Sequence, residues 1–279
     1  MVSKLLNRNA AQLSNLDFIF KELALRVISR LEYLKLDPRR ILDCGSGLGF
    51  DQQLLRHKYP AAQIVELDLA LRLLQLARPK AGLISQLFTR KPQRQLLCAD
   101  AQALPLLSGS INFCYANLLI PYLGDPQVFI KEMRRVLALG GAFCISGLGV
   151  DSFKELRELG LSTYIFPDMH DIGDMLVAAG FSNPVVDTEY ITLEYEHLTM
   201  LLNEVRQLGC GAANPAASQR GFLGRNLVAD LARRAQQPAK LTLEVFVAHG
   251  WNDSASIDLP PGYSPIKFQR PAGPGKQLV

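Results

Sequence analysis

The chain has 279 residues, 48% hydrophobic and 20% charged, with a formal net charge of +4 at pH 7. This is the composition of a soluble globular protein able to bury a real core, sized for one large domain or one domain with an elaborated cap. The charge is too weak to argue for nucleic acid, and no uninterrupted apolar run approaches a membrane span.

The N-terminus, MVSKLLNRNAAQLSN, has no apolar signal-peptide core, so a cytoplasmic location is expected. Residues 16–34, LDFIFKELALRVISRLEYL, have apolar groups at helical spacing and read as an amphipathic helix. Strand-like and helix-like segments then alternate: strand 40–44, helix 51–59, strand 63–69, helix 71–78, strand 95–100, strand 111–118 and helix 126–138. Gly140-Gly141 stops that helix before a strand at 142–148. This alternation implies an α/β fold with a parallel sheet covered on both faces. Beyond Gly149 the spacing predicts a helix at 169–180, a strand at 185–195, helices at 196–209 and 221–237, and a last strand at 240–251. The tail, 252–279, is rich in Pro and Gly and is expected to be extended or disordered.

Five cysteines (Cys44, Cys98, Cys114, Cys144, Cys210) are scattered without a CxxC pair, and the four histidines are dispersed. Four of these cysteines sit in apolar strand-like runs, so buried thiols are expected rather than disulfides or a metal site. Between Arg78 and Arg94 lie Arg78, Lys80, Arg90, Lys91 and Arg94 with no acid. That run reads either as a solvated loop or as a landing patch for an acidic partner.

The chemistry concentrates at ILDCGSGLGFD, residues 41–51. Asp43, Gly45, Gly47 and Gly49 fall at the first strand-to-helix junction, where bare backbone admits a close ligand and a helix N-terminus offers unpaired N–H groups. The GxGxG spacing, with no Lys-Ser/Thr after it, is neither a P-loop nor the usual dinucleotide fingerprint. Asp68 ends the second strand, where a carboxylate can accept from both ribose hydroxyls. Asp100 ends the third, where it can accept from an adenine amino group. The structural alternative for each acid is a helix cap or a turn.

As a set, LDCGSGLG, ELD, ADAQALPLLSGSINF, ANLLIPYLGDP and RRVLALGG resemble the motifs of class I S-adenosylmethionine-dependent methyltransferases, with a Rossmann-like sheet. FPDMHDIGDMLVAAGFSNPVVDTEYITLEY, followed by RGFLGR and LTLEVFVAHGW, resembles the malonyl-acyl-carrier-protein O-methyltransferases of biotin synthesis. The pattern is also similar to the mitochondrial complex I assembly factors that hydroxylate an arginine. The resemblance implies sheet order 3-2-1-4-5-7-6, a methyltransferase domain over 1–251, a helical cap inserted at 196–239, and S-adenosylmethionine as cofactor. It assigns cofactor binding to Asp43, Gly45, Ser46, Gly47, Gly49, Asp68, Leu69, Asp100, Ala101 and Asn117.

On the substrate side the implied reaction methylates the free carboxylate of a malonyl thioester on an acidic acyl carrier protein. A carboxylate is bound well by arginine, whose fork is bidentate. Arg220 and Arg225 are the candidates, with solvated helix arginines as the other reading. Tyr122 reads as lining the methyl channel or as a core aromatic. His170 reads as reaching the site or as a histidine bonded near a helix start. Arg134 and Arg135 join the 78–94 run as groups expected to steer the carrier. The chain departs from the family at ANLLIPY, where Pro121 takes a position usually given to Gln or His, expected to face the transfer site, and at Asn112, where Asp is common. Other readings are a diverged homologue acting as an assembly factor or protein-arginine hydroxylase, and a small-molecule methyltransferase.

Overall fold

In the computed structural model, which describes residues 7, 10, 17–77, 95–161, 163–209 and 225–253, strand β1 (Arg40–Cys44) sets the layering. Ile41, Leu42 and Cys44 are all fully buried although alternate residues face opposite sides, so both faces of the strand are covered. The same alternation runs through β4 (Ile111–Ala116) and β5 (Leu137–Leu148). Phe113, Tyr115, Ala142 and Cys144 join Ile41 in one apolar cluster, while Cys114, Ala116, Phe143 and Ile145 join Leu42 in another.

With β2 (Gln63–Asp68), β3 (Gln95–Cys98), β6 (Ser182–Tyr195) and β7 (Ala239–Trp251), the seven strands lie in the order β3-β2-β1-β4-β5-β7-β6, as the resemblance implies. The sheet is not wholly parallel. β1 to β5 pair in parallel, but β7 runs antiparallel to both β5 and β6.

Helices, numbered in chain order, cover the two faces. Val27 of α1 (Asp17–Arg30) and Leu55 of α2 (Phe50–Lys58) close over Ile41, Ile64 and Phe113. Short α3 (Leu71–Leu76) follows β2. Phe129, Ile130 and Met133 of α4 (Pro126–Val136), with Ile172 and Leu176 of α6 (Met169–Ala178), cover the other face. Between them lies α5 (Lys154–Glu158), which the sequence reading did not foresee. Its five residues carry too little periodicity to register. The helix expected at 16–34 is α1 followed by a separate 3-10 turn, Leu31–Tyr33.

β5 starts ahead of Gly140-Gly141 rather than after it. The Asn252 Nδ2 group donates to Leu137 O (2.8 Å), and its backbone joins Gly140 and Gly141 (2.8 Å each), holding the extra residues in the strand. Cys44, Cys114 and Cys144 are buried as expected, but Cys98 is exposed, because β3 is an edge strand paired only with β2. Cys210, the basic run 78–94 and the tail from 254 lie outside the described residues.

β7 pairs with β5 only over Val245–Trp251 but with β6 from Ala239 onward, so a two-stranded ribbon overhangs the carboxyl edge of the sheet. Backbone N–H groups of Gly149 and Phe153 donate to Glu244 O and Thr242 O (2.8 and 2.9 Å), replacing the missing strand. Leu201 and Leu208 of α7 (Leu198–Leu208) pack with Leu241 and Leu243 of this ribbon. α8 (Arg225–Arg234) lies in the same connection between β6 and β7. Among the described residues no helix is long and apolar enough to cross a membrane.

Candidate functional site

β1 ends in a turn built on the neighbouring strand: Gly45 N and Ser46 N both donate to Leu67 O (2.7 and 3.0 Å), and Gly49 N closes onto Ser46 O (2.8 Å). At Gly45 φ is +74°, and a Cβ would stand 3.0 Å from Leu119 Cδ1; at Gly47 φ is +52°, and a Cβ would meet nothing nearer than 3.9 Å. Gly45 thus lets the segment after β4 close in, whereas Gly47 leaves bare backbone beside open space.

That space is a cavity of about 300 Å3 at the carboxyl ends of β1 to β4. Of the residues expected to bind a cofactor, Gly45, Ser46, Gly47, Asp68, Leu69, Asp100, Ala101 and Asn117 wall it, joined by Tyr122. Asp43 and Gly49 stand behind the wall, Asp43 almost wholly buried and Gly49 as the N-cap of α2. Sequence reasoning missed Asp51, Leu118, Leu119, Gln102 and Phe20, which also face the cavity.

Each acid is placed by backbone. Asp68 accepts from Gly47 N (2.9 Å) and Ala70 N (2.7 Å), one bond on each oxygen. Burial raises its carboxyl pKa, and these two amides pull it back. Asp100 accepts from Gln102 N (2.8 Å), while Gln102 Oε1 accepts from the N–H of Asp125, the residue capping α4.

Beneath β1 and β4 runs a second network. Tyr115 Oη donates to Asp51 Oδ1 (2.5 Å), as does Asn117 Nδ2 (3.1 Å). Ser146 Oγ donates to Asn117 Oδ1 (2.7 Å) and accepts from Leu118 N (3.0 Å). Leu118 has φ +55°, a left-handed conformation costing about 1–3 kcal/mol outside glycine, so this hydrogen bond restrains a strained residue at the cavity.

Burial, with Asp51, Glu66 and Asp68 close by, pushes the Asp43 carboxyl well above the usual carboxylate range. Burial also lifts Asp51 from 3.8 to about 6, against its bonds from Tyr115 and Asn117. A raised native pKa means the native state holds the proton longer, so Asp51's stabilising contribution is full below about 3.8 and lost as pH rises through about 6. Urea midpoints measured at pH 4.5 and 7.5 should therefore show an Asp51→Asn variant gaining on the wild type as pH rises. A constant difference would refute the shift.

The other expected residues disperse. His170 is exposed near the start of α6, where its N–H donates to Asp168 Oδ1 (2.8 Å) within a capping box; it does not wall the cavity. Arg225 is the first residue of α8, and Arg220 lies outside the described residues. Arg135 is held by Glu132 (2.8 Å) and by the carbonyls of Leu104 and Leu106 (2.8 Å each), while Arg134 lies 5.7 Å from the Phe181 ring centroid. Pro121 is buried against an adjoining apolar chamber that includes Ile19, Phe20 and Leu243, rather than in the cavity wall. Asn112, where Asp was common, accepts from Arg40 N (3.0 Å), an edge role that either residue fills.

A methyltransferase-domain family model matches residues 42–145. The chain is 38% identical, over 85% of each chain, to the malonyl-acyl-carrier-protein O-methyltransferase of Gallionella capsiferriformans. It is 36% identical to that of Laribacter hongkongensis over 89% of this chain and 88% of the relative. Among solved structures it is similar to Haemonchus contortus phosphoethanolamine N-methyltransferase 2 bound to S-adenosylhomocysteine, with TM-score 0.57 and 16% identity over 90% of this chain and 60% of that one. A possible histamine N-methyltransferase of Thermotoga maritima gives TM-score 0.54 at 16% identity over 90% of this chain and 100% of that one. At such identities the two structures speak for the fold.

Proposed function

The chain belongs to the malonyl-acyl-carrier-protein O-methyltransferase family, and from that we propose that it methylates the free carboxylate of a malonyl thioester on an acyl carrier protein, a step of biotin synthesis. The observation that carries the reading is the reach of the likeness: 38% identity over 85% of the chain extends past the domain matched at 42–145 into the β6–β7 ribbon and its cap. An acidic carrier and a cytoplasmic location belong to the same reading.

S-adenosylmethionine is the cofactor, and the cavity fits it. Gly47 leaves room for close approach, and Ser46 Oγ is buried without a partner among the described residues. Asp68 and Asp100 retain lone pairs at the cavity for ribose hydroxyls and an adenine amino group. When bound, the cofactor supplies a methyl group on a positively charged sulfur.

The chain's own residues then have a limited task. A malonyl carboxylate is ionised at pH 7 and needs no general base, which suits a cavity wall without His or Lys among the described residues. What remains is to hold the two partners in line and keep water out. Tyr122 serves the second need: its hydroxyl donates to Leu208 O (2.7 Å), tying the last residue of α7 to the turn after β4. Arg220 and Arg225 are our candidates for the malonyl carboxylate, with Arg225 opening the second cap helix. The basic run 78–94 is our candidate for meeting the carrier.

The test is transfer of label from methyl-labelled S-adenosylmethionine to malonyl-carrier protein, with acetyl-carrier protein as the control lacking a free carboxylate. Label on the malonyl carrier alone is expected. Binding of the cofactor product without any transfer would sink the assignment. In the same assay Tyr122→Phe should lower kcat/KM by about two- to tenfold, the equivalent of one hydrogen bond of about 0.5–1.5 kcal/mol, with S-adenosylhomocysteine affinity unchanged. Equal activity would remove Tyr122 from the closing role.

A further inference from the structure

The cavity wall contains three carboxylates, Asp51, Asp68 and Asp100, and no cationic side chain among the described residues. Two of the three are accounted for by an adenosine moiety at the β2 and β3 ends. Asp51 is on the other side, the second residue of α2, beside Asn117 at the end of β4. Both of its side-chain hydrogen bonds, from Tyr115 Oη and Asn117 Nδ2, land on Oδ1. Oδ2 has no side-chain donor among the described residues. An acid held in so apolar a site, with Asp43 behind it, gains most from a cation. Ser46, 4% exposed, also walls the cavity, and its Oγ is buried without a partner among the described residues.

We propose that Asp51 receives the α-ammonium of the amino-acid portion of the cofactor, with Tyr115 and Asn117 fixing its carboxyl for that contact. This rests on the cofactor reading of the cavity. The consequence is selectivity at one end of the ligand: recognition of the nucleoside lies with Asp68 and Asp100, and recognition of the charged amine lies with Asp51. The ion pair is enclosed and its acid is pre-positioned by two donors, so it adds to affinity rather than merely orienting the ligand. Tyr115 and Asn117 act through Asp51 and are positioning residues.

The test is calorimetric, on the full chain, with S-adenosylhomocysteine and with 5′-methylthioadenosine, which keeps the nucleoside and sulfur but lacks the amino acid. Asp51→Asn preserves the acceptor oxygen for Tyr115 and Asn117 while removing the charge. The expected result is a loss of roughly tenfold or more in S-adenosylhomocysteine affinity, with 5′-methylthioadenosine affinity within about twofold of wild type. Equal weakening of both ligands, or of neither, would overturn the proposal. A second measurement needs no variant: the wild type should bind the des-amino analogue of S-adenosylhomocysteine roughly tenfold or more weakly than the parent, and equal binding would overturn the proposal even if Asp51→Asn fails to fold. Should the wild type bind none of these ligands, the cofactor reading itself fails and takes the proposal with it.

Discussion

Asp68→Ala is expected to lower the affinity for S-adenosylhomocysteine by roughly a hundredfold or more. Two losses add. On the proposed reading of the cavity the cofactor's ribose loses a charged acceptor, and hydrogen bonds to charged groups contribute about 1.5–3 kcal/mol each. The cradle also loses its brace, because the same carboxylate holds Gly47 N and Ala70 N at 2.9 and 2.7 Å. Without it the Gly47 amide loses this acceptor, and the turn is held to β2 only by the Gly45 and Ser46 amides on Leu67 O. Asp68→Asn keeps one acceptor oxygen and should fall between the two in titration calorimetry. A melting temperature close to wild type, with affinity within threefold, would mean the ribose is held elsewhere.

The second large effect is on stability. Gly147 of β5 faces Phe246 of β7, and a Cβ there would stand 2.5 Å from Phe246 Cζ and 3.2 Å from Ile120 Cβ. Phe246 and Ile120 are both wholly buried, so neither has a free direction in which to move. Gly147→Ala should therefore cost about 1–3 kcal/mol by overpacking. The gain of about 0.5–1 kcal/mol from replacing glycine in a strand does not cover that loss. In a chain of this size the melting temperature should fall by roughly 2–4 °C per kcal/mol. The strain also reaches the site, because Ile120 opens the short turn that ends at Tyr122. Adding Phe246→Leu should recover part of the lost stability, a coupling that a double-mutant cycle resolves. No recovery would mean that the clash is relieved along the backbone instead.

The strands and the acids at their ends were legible because burial on both faces writes continuous apolar runs, and because a parallel sheet gathers its strand ends at one edge. The strand order and the cofactor came from the resemblance, not from periodicity. What was not legible depends on three-dimensional partners. Asp51 stands in the quoted glycine segment, yet only the approach of Tyr115 and Asn117 from β4 makes it more than a polar residue in the first turn of a helix. Arg135 reads as surface charge until the loop carbonyls of Leu104 and Leu106 are seen beside it. The early start of β5 depends on Asn252, more than a hundred residues later in the chain. Asp68 was expected to serve the ligand; that it braces the glycine turn needed the turn's own geometry.

The overhanging ribbon carries a consequence for how such a catalyst diversifies. Tyr195, the last residue of β6, and Ala239, the first of β7, are direct partners in an antiparallel ladder. The chain between them therefore leaves and rejoins the sheet at a single point, as the loop of a greatly enlarged hairpin. Exchanging that loop requires only that a new segment begin and end about one strand spacing apart. The strands that present Asp68, Asp100 and Asn117 all lie on the other side of β5. On the function proposed here, new methyl acceptors can be acquired by grafting at one hairpin, while the donor half of the protein is inherited intact.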